Sequence, residues 1–191
     1  MREDVGEKDP TDLPSALHPR PRFEVLFVDE YPKMVALAAA ISGSRGQAED
    51  LAQEAMSRLD RNWERVRGLD QPGAWLRRVT INLALSHRRR ILTEAKARLR
   101  LGVTPTMLPP SAAEHEPVWQ AVAALPGKQR AAIALRYLEE RSVDEIADIL
   151  DIAPATARVH LHRGRQALRE RLGDFDPTPP THDDPSEETA R

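Results

Sequence analysis

A chain of 191 residues with 28 Lys and Arg against 30 Asp and Glu, 4% aromatic residues and no cysteine suits one ordinary domain or two small helical ones, not a large β-rich core. Without cysteine there is no disulfide framework and no thiolate metal site, which fits a reducing cytosol. The longest apolar stretch, "MVALAAAI" at 34–41, is far too short to span a bilayer, so no membrane insertion is expected.

Residues 1–21 are polar and Pro-rich, lack the apolar core of a secretion signal, and are expected to be a disordered arm. An apolar helical pattern runs from Phe23 to Ser42. "SGSRG" (42–46) is a turn in which Ser44 is a plausible N-cap. In "QAEDLAQEAMSRLDRNWERV", Ala48, Leu51, Ala52, Ala55, Leu59, Trp63 and Val66 recur every three or four residues, which predicts one amphipathic helix. "RGLDQPG" (67–73) breaks the pattern. A long helix follows from Ala74 to Arg100, with Trp75, Leu76, Val79, Leu83 and Leu85 directed to a core. The segment 101–117 holds four prolines without periodicity and reads as a flexible linker. A second helical block covers 118–172, and an acidic tail expected to be disordered covers 173–191. No strand-like alternation of useful length appears. The expected fold is all-α: two small helical domains, 22–100 and 118–172, on a Pro-containing joint, the second a helix-turn-helix.

Charge is segregated along this chain. From Arg77 to Arg100 there are eight Lys or Arg against Glu94, and from Pro154 to Leu172 five arginines against Glu170; from 173 to 191 there are six acids against Arg191. The second basic run belongs to "SVDEIADILDIAPATARVHLHRGRQAL". Ser142 and Glu145 have capping-box spacing, and Val143, Ile146, Ala147 and Leu150 form a buried face. "DIAP" turns the chain and Pro154 suits the first position of a new helix. Ala157, Leu161, Gly164, Leu168 and Leu172 make that helix's inward stripe, with Ala157 and Gly164 small enough for the preceding helix to pack closely. Arg158, Val159, His162, Arg163 and Arg165 then point elsewhere. An ordinary solvated face would also carry arginines. A capped helix, a tight turn and a basic second helix together favour DNA, because guanidinium groups on such a helix can meet guanine edges or phosphates in the major groove.

Three segments in series carry a family resemblance: "AEDLAQEAMSRLDRNW", "PGAWLRRVTINLALSHRRR" and the block from "LPGKQR" to "RERL". Together they resemble a bacterial sigma factor of the extracytoplasmic-function (ECF) group, group IV of the sigma-70 family. The resemblance covers about residues 22–172 apart from the linker. It implies a cytoplasmic transcription initiation factor that binds core RNA polymerase, recognises and helps melt the −10 element with its first domain, and binds the −35 element with its second. Members of the group are commonly held by an anti-sigma factor, which adds a partner class that no residue here identifies.

Carried onto this chain, the resemblance makes Asp50, Gln53 and Glu54 the polymerase-binding face, a polar patch able to pair with a basic surface. It places an extruded-base pocket at the loop 67–73 together with Asn82, whose amide can donate and accept. Trp75 belongs to the same segment, although it suits a core position better than a stacking one. Arg77, Arg78, Arg88, Arg89 and Arg90 would supply phosphate contacts for the −10 strand. On the last helix Arg158, Val159, His162 and Arg163 would face −35 base edges, with Arg165 and Arg169 on phosphates. The chain departs from the common pattern at Ser86, Ala157, His160 and His162, which bears on promoter sequence.

The competing reading is a helix-turn-helix regulator that binds duplex DNA independently of polymerase. A response regulator would need an α/β receiver domain, and the first block shows no strands. The histidines lack metal-ligand spacing with carboxylates, and there is neither a Gly-rich phosphate loop nor a nucleophile elbow. No catalytic residue, metal or cofactor is expected.

Overall fold

The computed structural model describes residues 22–101 and 117–173; the expected arm, nearly all of the linker and nearly all of the acidic tail lie outside them. The described residues form eight α-helices and no strand. Helices α1 (Phe23–Ser42), α2 (Arg45–Arg61), α3 (Trp63–Val66) and α4 (Pro72–Arg100) make the first domain. Helices α5 (Pro117–Ala123), α6 (Gly127–Leu138), α7 (Val143–Leu150) and α8 (Pro154–Leu172) make the second.

The first domain is organised around α1. Its Met34, Leu37, Ala38 and Ile41 are fully buried against Leu51, Ala52, Ala55 and Leu59 of α2 and Leu76 of α4. Burying one large aliphatic side chain contributes about 1.5–3 kcal/mol, so this stripe is a main source of the domain's stability. α1 continues through Pro32, which has no N–H to offer the preceding turn. It ends at Gly43, whose φ of 75° allows its N–H to donate to Ala39 O.

Two local expectations are corrected. Ser44 does occupy the N-cap of α2 with an extended backbone, but its side chain makes no cap bond; the Ser42 hydroxyl instead accepts from Ser44 N–H and donates to Ser44 O. The helix predicted to run to Val66 stops at Arg61. Asn62 Nδ2 donates to Arg58 O at 2.7 Å, taking an acceptor at the helix end, and a single turn, α3, follows.

In the second domain the predicted capping box is present: Ser142 Oγ accepts from Glu145 N–H and Glu145 Oε2 accepts from Ser142 N–H. The turn after α7 is made by Asp151, left-handed at φ 56°, and Ile152 N–H donates back to Ala147 O. Pro154 opens α8 at its first turn. Ala157, Leu161, Gly164 and Leu168 are buried, as the stripe required, and Leu172 is half-buried.

The partner at Gly164 differs from expectation. A Cβ built there would lie 2.7 Å from Ile133 Cγ1, so the helix that approaches is α6, not α7. Ile133 is itself buried and has little room to yield. Gly164→Val should therefore destabilise the protein by about 1–3 kcal/mol through overpacking. A thermal melt followed by circular dichroism checks this, and an unchanged or raised Tm would show that Ile133 can repack.

The two domains are packed on each other. α1 meets α5 and α6, and α4 meets α7. Gly127, at the start of α6, comes so near α4 that a Cβ there would lie 2.9 Å from Leu85 Cδ2. Of the expected core positions of α4 only Leu76 is fully buried, Trp75, Val79, Leu83 and Leu85 being half-buried, whereas α4 buries Ile81, and α7 buries Ile149 off its predicted stripe, because both line a cleft between the two helices.

Candidate functional site

The residues singled out by sequence fall on three surfaces. On α2, Asp50 and Gln53 are exposed; Asp50 lies one turn before Glu54 and Gln53 directly precedes it. Glu54 is tied to Arg58 at 2.8 Å and faces Arg61 at 3.6 Å. The hydrogen bond from Arg58 holds its carboxyl below the usual carboxylate range, and the charges of Arg58 and Arg61 add to this. This part of α2 is thus polar and of mixed sign.

On α8, Arg158, Val159, His162, Arg163 and Arg169 are exposed and Arg165 is half-buried. Their orientation follows from the inward stripe: with Ala157, Leu161, Gly164 and Leu168 directed at α6 and its neighbours, positions 158, 159, 162 and 163 must lie on the outer side. Val159, 44% exposed, stands among cations, where an apolar side chain gains little from water. His160 is half-buried, and burial, assisted by the charges of Lys128 and Arg163, pushes its imidazole below the usual histidine value. It is therefore poorly suited to adding a cation on this face.

The third surface, on α4, departs furthest from expectation. Arg89 and Arg90 are exposed, Arg90 with Glu94 at 3.7 Å. Trp75 is half-buried against the core, as its apolar neighbours suggested. Arg77 is only 2% exposed, so it is not the solvent-facing cation that the sequence suggested in this arrangement. Its guanidinium pairs with Glu30 of α1 at 2.7 Å and with Glu139, and donates to Gly73 O at 3.0 Å. Arg78 is turned to the second domain: it donates to Asp148 O and to Ile149 O at the end of α7, the latter at 3.0 Å. Arg88 donates to Ser42 O at 3.2 Å and to Ala123 O at 2.7 Å, bridging the ends of α1 and α5.

Asn82 is exposed and lines the cleft with Arg78, Ile81, Lys128, Ile149, Leu150 and Asp151. The loop 67–73 is not among these residues. Ten positions separate Asn82 from Pro72 at the start of α4, about 15 Å along a helix axis, so the structure does not bring loop and asparagine into one pocket.

Sequence reasoning did not find the residues that complete this region. Arg130 of α6 is buried and donates to Val122 O, Leu125 O and Ile41 O, the last at 2.6 Å across the domain boundary. Burial, and next the charge of Arg88, push it down to about 10, which leaves it a cation at neutral pH. A charged residue directly ahead of "AAIAL" was the available signal. Among the described residues no group of His, Asp or Glu could hold a metal ion, and no helix is long and apolar enough to cross a membrane.

Comparison with known proteins identifies the family. Residues 26–91 match the family model Sigma-70 region 2, and residues 115–168 match Sigma-70, region 4. The chain is 32% identical over 164 residues to the ECF RNA polymerase sigma factor SigW of Bacillus subtilis, covering 78% of this chain and 88% of that protein. It is 32% identical over 168 residues to the ECF RNA polymerase sigma factor SigE of Mycolicibacterium smegmatis, covering 80% and 62%. It is 30% identical over 164 residues to the RNA polymerase sigma factor CarQ of Myxococcus xanthus, covering 81% and 91%. In fold it is similar to the sigma factor RpoE of Bartonella quintana, solved in complex with the anti-sigma factor NepR, with a TM-score of 0.65, 22% identity, and coverage of 81% and 98%. Two sigma-70 regions in the right order, with the helix-turn-helix in the second, make this chain a member of the sigma-70 family and, within it, an ECF RNA polymerase sigma factor.

Proposed function

We propose that this sigma factor, of group IV, acts in the cytoplasm as a non-enzymatic initiation factor whose three surfaces have separate duties. Asp50, Gln53 and Glu54 of α2 dock on core RNA polymerase. Asn82 with Arg78, Arg88, Arg89 and Arg90 of α4 engages the −10 strand, Arg77 joining them only after it leaves its buried pairs. Arg158, Val159, His162 and Arg163 of α8 read the −35 duplex, with Arg165 and Arg169 on its phosphates. An anti-sigma factor is a fitting further partner for the same faces. The observation that carries the reading is the outward basic face of α8, held by an inward stripe and a capped α7 within the region 4 match. A regulator acting without polymerase would have no use for the region 2 match.

The test is on polymerase docking. The triple variant Asp50→Ala, Gln53→Ala, Glu54→Ala should bind core polymerase at least tenfold more weakly by fluorescence anisotropy. All three side chains lie outside the buried core, so helicity by circular dichroism should be unchanged. Full affinity in a folded triple variant would remove α2 as the docking face.

A further inference from the structure

We propose that the acidic tail, residues 174–191, lies back along the outer face of α8 as a stand-in for DNA phosphates, so that the tail must be displaced before this face meets a duplex. The inference rests on the reading of α8 as the −35 surface and adds to it an occupant supplied by the chain itself.

The receiving face is a basic stripe. Arg158, His162, Arg165 and Arg169 are spaced four, three and four apart, which puts them on one side of α8. The stripe is about 16 Å long and holds no acid. Glu170, the one acid of α8, lies off it and accepts from Gln166 Nε2 at 3.1 Å. Cations elsewhere are interleaved with acids: Glu54 faces Arg58 and Arg61 on α2, and Arg90 faces Glu94 on α4.

The tail starts at the end of this stripe. Gly173 has a φ of 68°, which favours glycine, and its N–H donates to Arg169 O at 3.0 Å, so the helix stops and the chain turns off its axis. Asp174 and Asp176 follow, then "PTPPTH" (177–182), then Asp183, Asp184, Glu187 and Glu188. Asp183 lies ten residues past Gly173, and a Pro-rich segment at about 3.1 Å per residue carries it about 31 Å. Arg158 lies fifteen residues before Gly173, about 22 Å along the axis. The prolines thus act as a spacer long enough to reverse direction and bring the second acidic cluster to Arg158 and His162, while Asp174 and Asp176 stay beside Arg169. Carboxylate oxygens accept from a guanidinium much as phosphate oxygens do. The tether keeps the acids at roughly millimolar local concentration, enough to compete with nonspecific DNA. A −35 duplex held by the other contacts of an initiation complex gains what the tail lacks and shifts the balance to the open face.

The chain has no cysteine, so Ser186→Cys places a single nitroxide label among the tail acids. In the full chain at low salt, paramagnetic broadening should remove most of the amide signal at 158–163 and spare α2, and it should fade at high salt. In a mixture of spin-labelled chain with unlabelled, isotope-enriched chain, no broadening should appear. Asp183→Asn, Asp184→Asn, Glu187→Gln and Glu188→Gln together should abolish the broadening. The same four changes should tighten binding to a fluorescein-labelled 20-base-pair duplex of random sequence five- to tenfold. Broadening spread evenly over the helices, or an affinity gain without broadening, would reduce the tail to general charge repulsion and overturn the proposal. Broadening only in the mixture would assign the face to a second copy's tail, and unchanged affinity would show that the tail does not mask DNA binding; either overturns it too. Arg158→Ala with Arg169→Ala in the neutral-tail chain tests the underlying reading separately. If that variant binds the duplex undiminished, α8 is not the DNA surface and the masking role falls with it; if it binds weakly while neutralising the tail changes nothing, only the tail proposal falls.

Discussion

Arg77→Met should reduce folding stability by about 3–5 kcal/mol in urea titration at neutral pH. The arginine is 2% exposed, and the side chains of Glu30 and Glu139 around it are 12% and 6% exposed. Removing the cation leaves two buried carboxylates facing each other, with only the more exposed Lys33 at 3.1 Å from Glu30 and Arg141 at 3.6 Å from Glu139 as counter-charges, and a buried charge that loses its most buried partner costs far more than the net worth of the pair that held it. The cost should therefore be largely reversible by a second change. Adding Glu30→Gln and Glu139→Gln to Arg77→Met should recover most of the loss, because neutral amides need no counter-ion. A triple variant as unstable as the single one would mean that the loss came from packing around the guanidinium. A loss below about 1 kcal/mol, the range of solvated surface pairs, would show that water reaches the triad and that Glu139 is not sealed against α4.

The second large effect concerns α8. Arg158→Ala should cost about 1–3 kcal/mol on the preferred −35 element and relax choice at one or two positions, if this arginine meets a base edge. Arg169 lies eleven residues further along the helix, roughly 16 Å in rise, away from the turn that enters the groove. Arg169→Ala should weaken all sites nearly equally and reduce the salt slope by about one unit, as expected of a phosphate contact. Holoenzyme reconstituted with each variant, followed by selection from randomised −35 sequences, separates the two. An unchanged selected sequence for Arg158→Ala together with an altered one for Arg169→Ala would mean that α8 docks in the opposite orientation.

Much of this was legible in the sequence because it depends on neighbours close along the chain. The helical periodicity of Leu51, Ala55 and Leu59, the Ser142–Glu145 cap, and the first-turn Pro154 are decided within a few residues, and the structure keeps all of them. The outward direction of Arg158 and Arg163 was legible for the same reason: once one stripe of a helix is buried, the 3.6-residue period places the remainder. The order of region 2-like and region 4-like segments carried the family. Even the errors at this level were local, such as Asn62 ending α2 by capping Arg58 O.

What only the tertiary structure decided is how the cations of α4 are spent. Along the chain Arg77, Arg78, Arg88, Arg89 and Arg90 look alike. Glu139 lies 62 positions from Arg77, the carbonyl of Ile149 lies 71 from Arg78, and that of Ala123 lies 35 from Arg88. Backbone carbonyls carry no signature in composition, since every residue has one, and whether one is free depends on where a helix stops and what faces its end. The same holds for Gly127 and Gly164, which sequence shows only as small, and whose partners Leu85 and Ile133 follow from how separate helices pack. Local pattern determined which residues form helices and which faces are apolar; domain packing determined which arginines still face outward, because burial and long-range pairing are properties of surfaces that meet only in the folded chain.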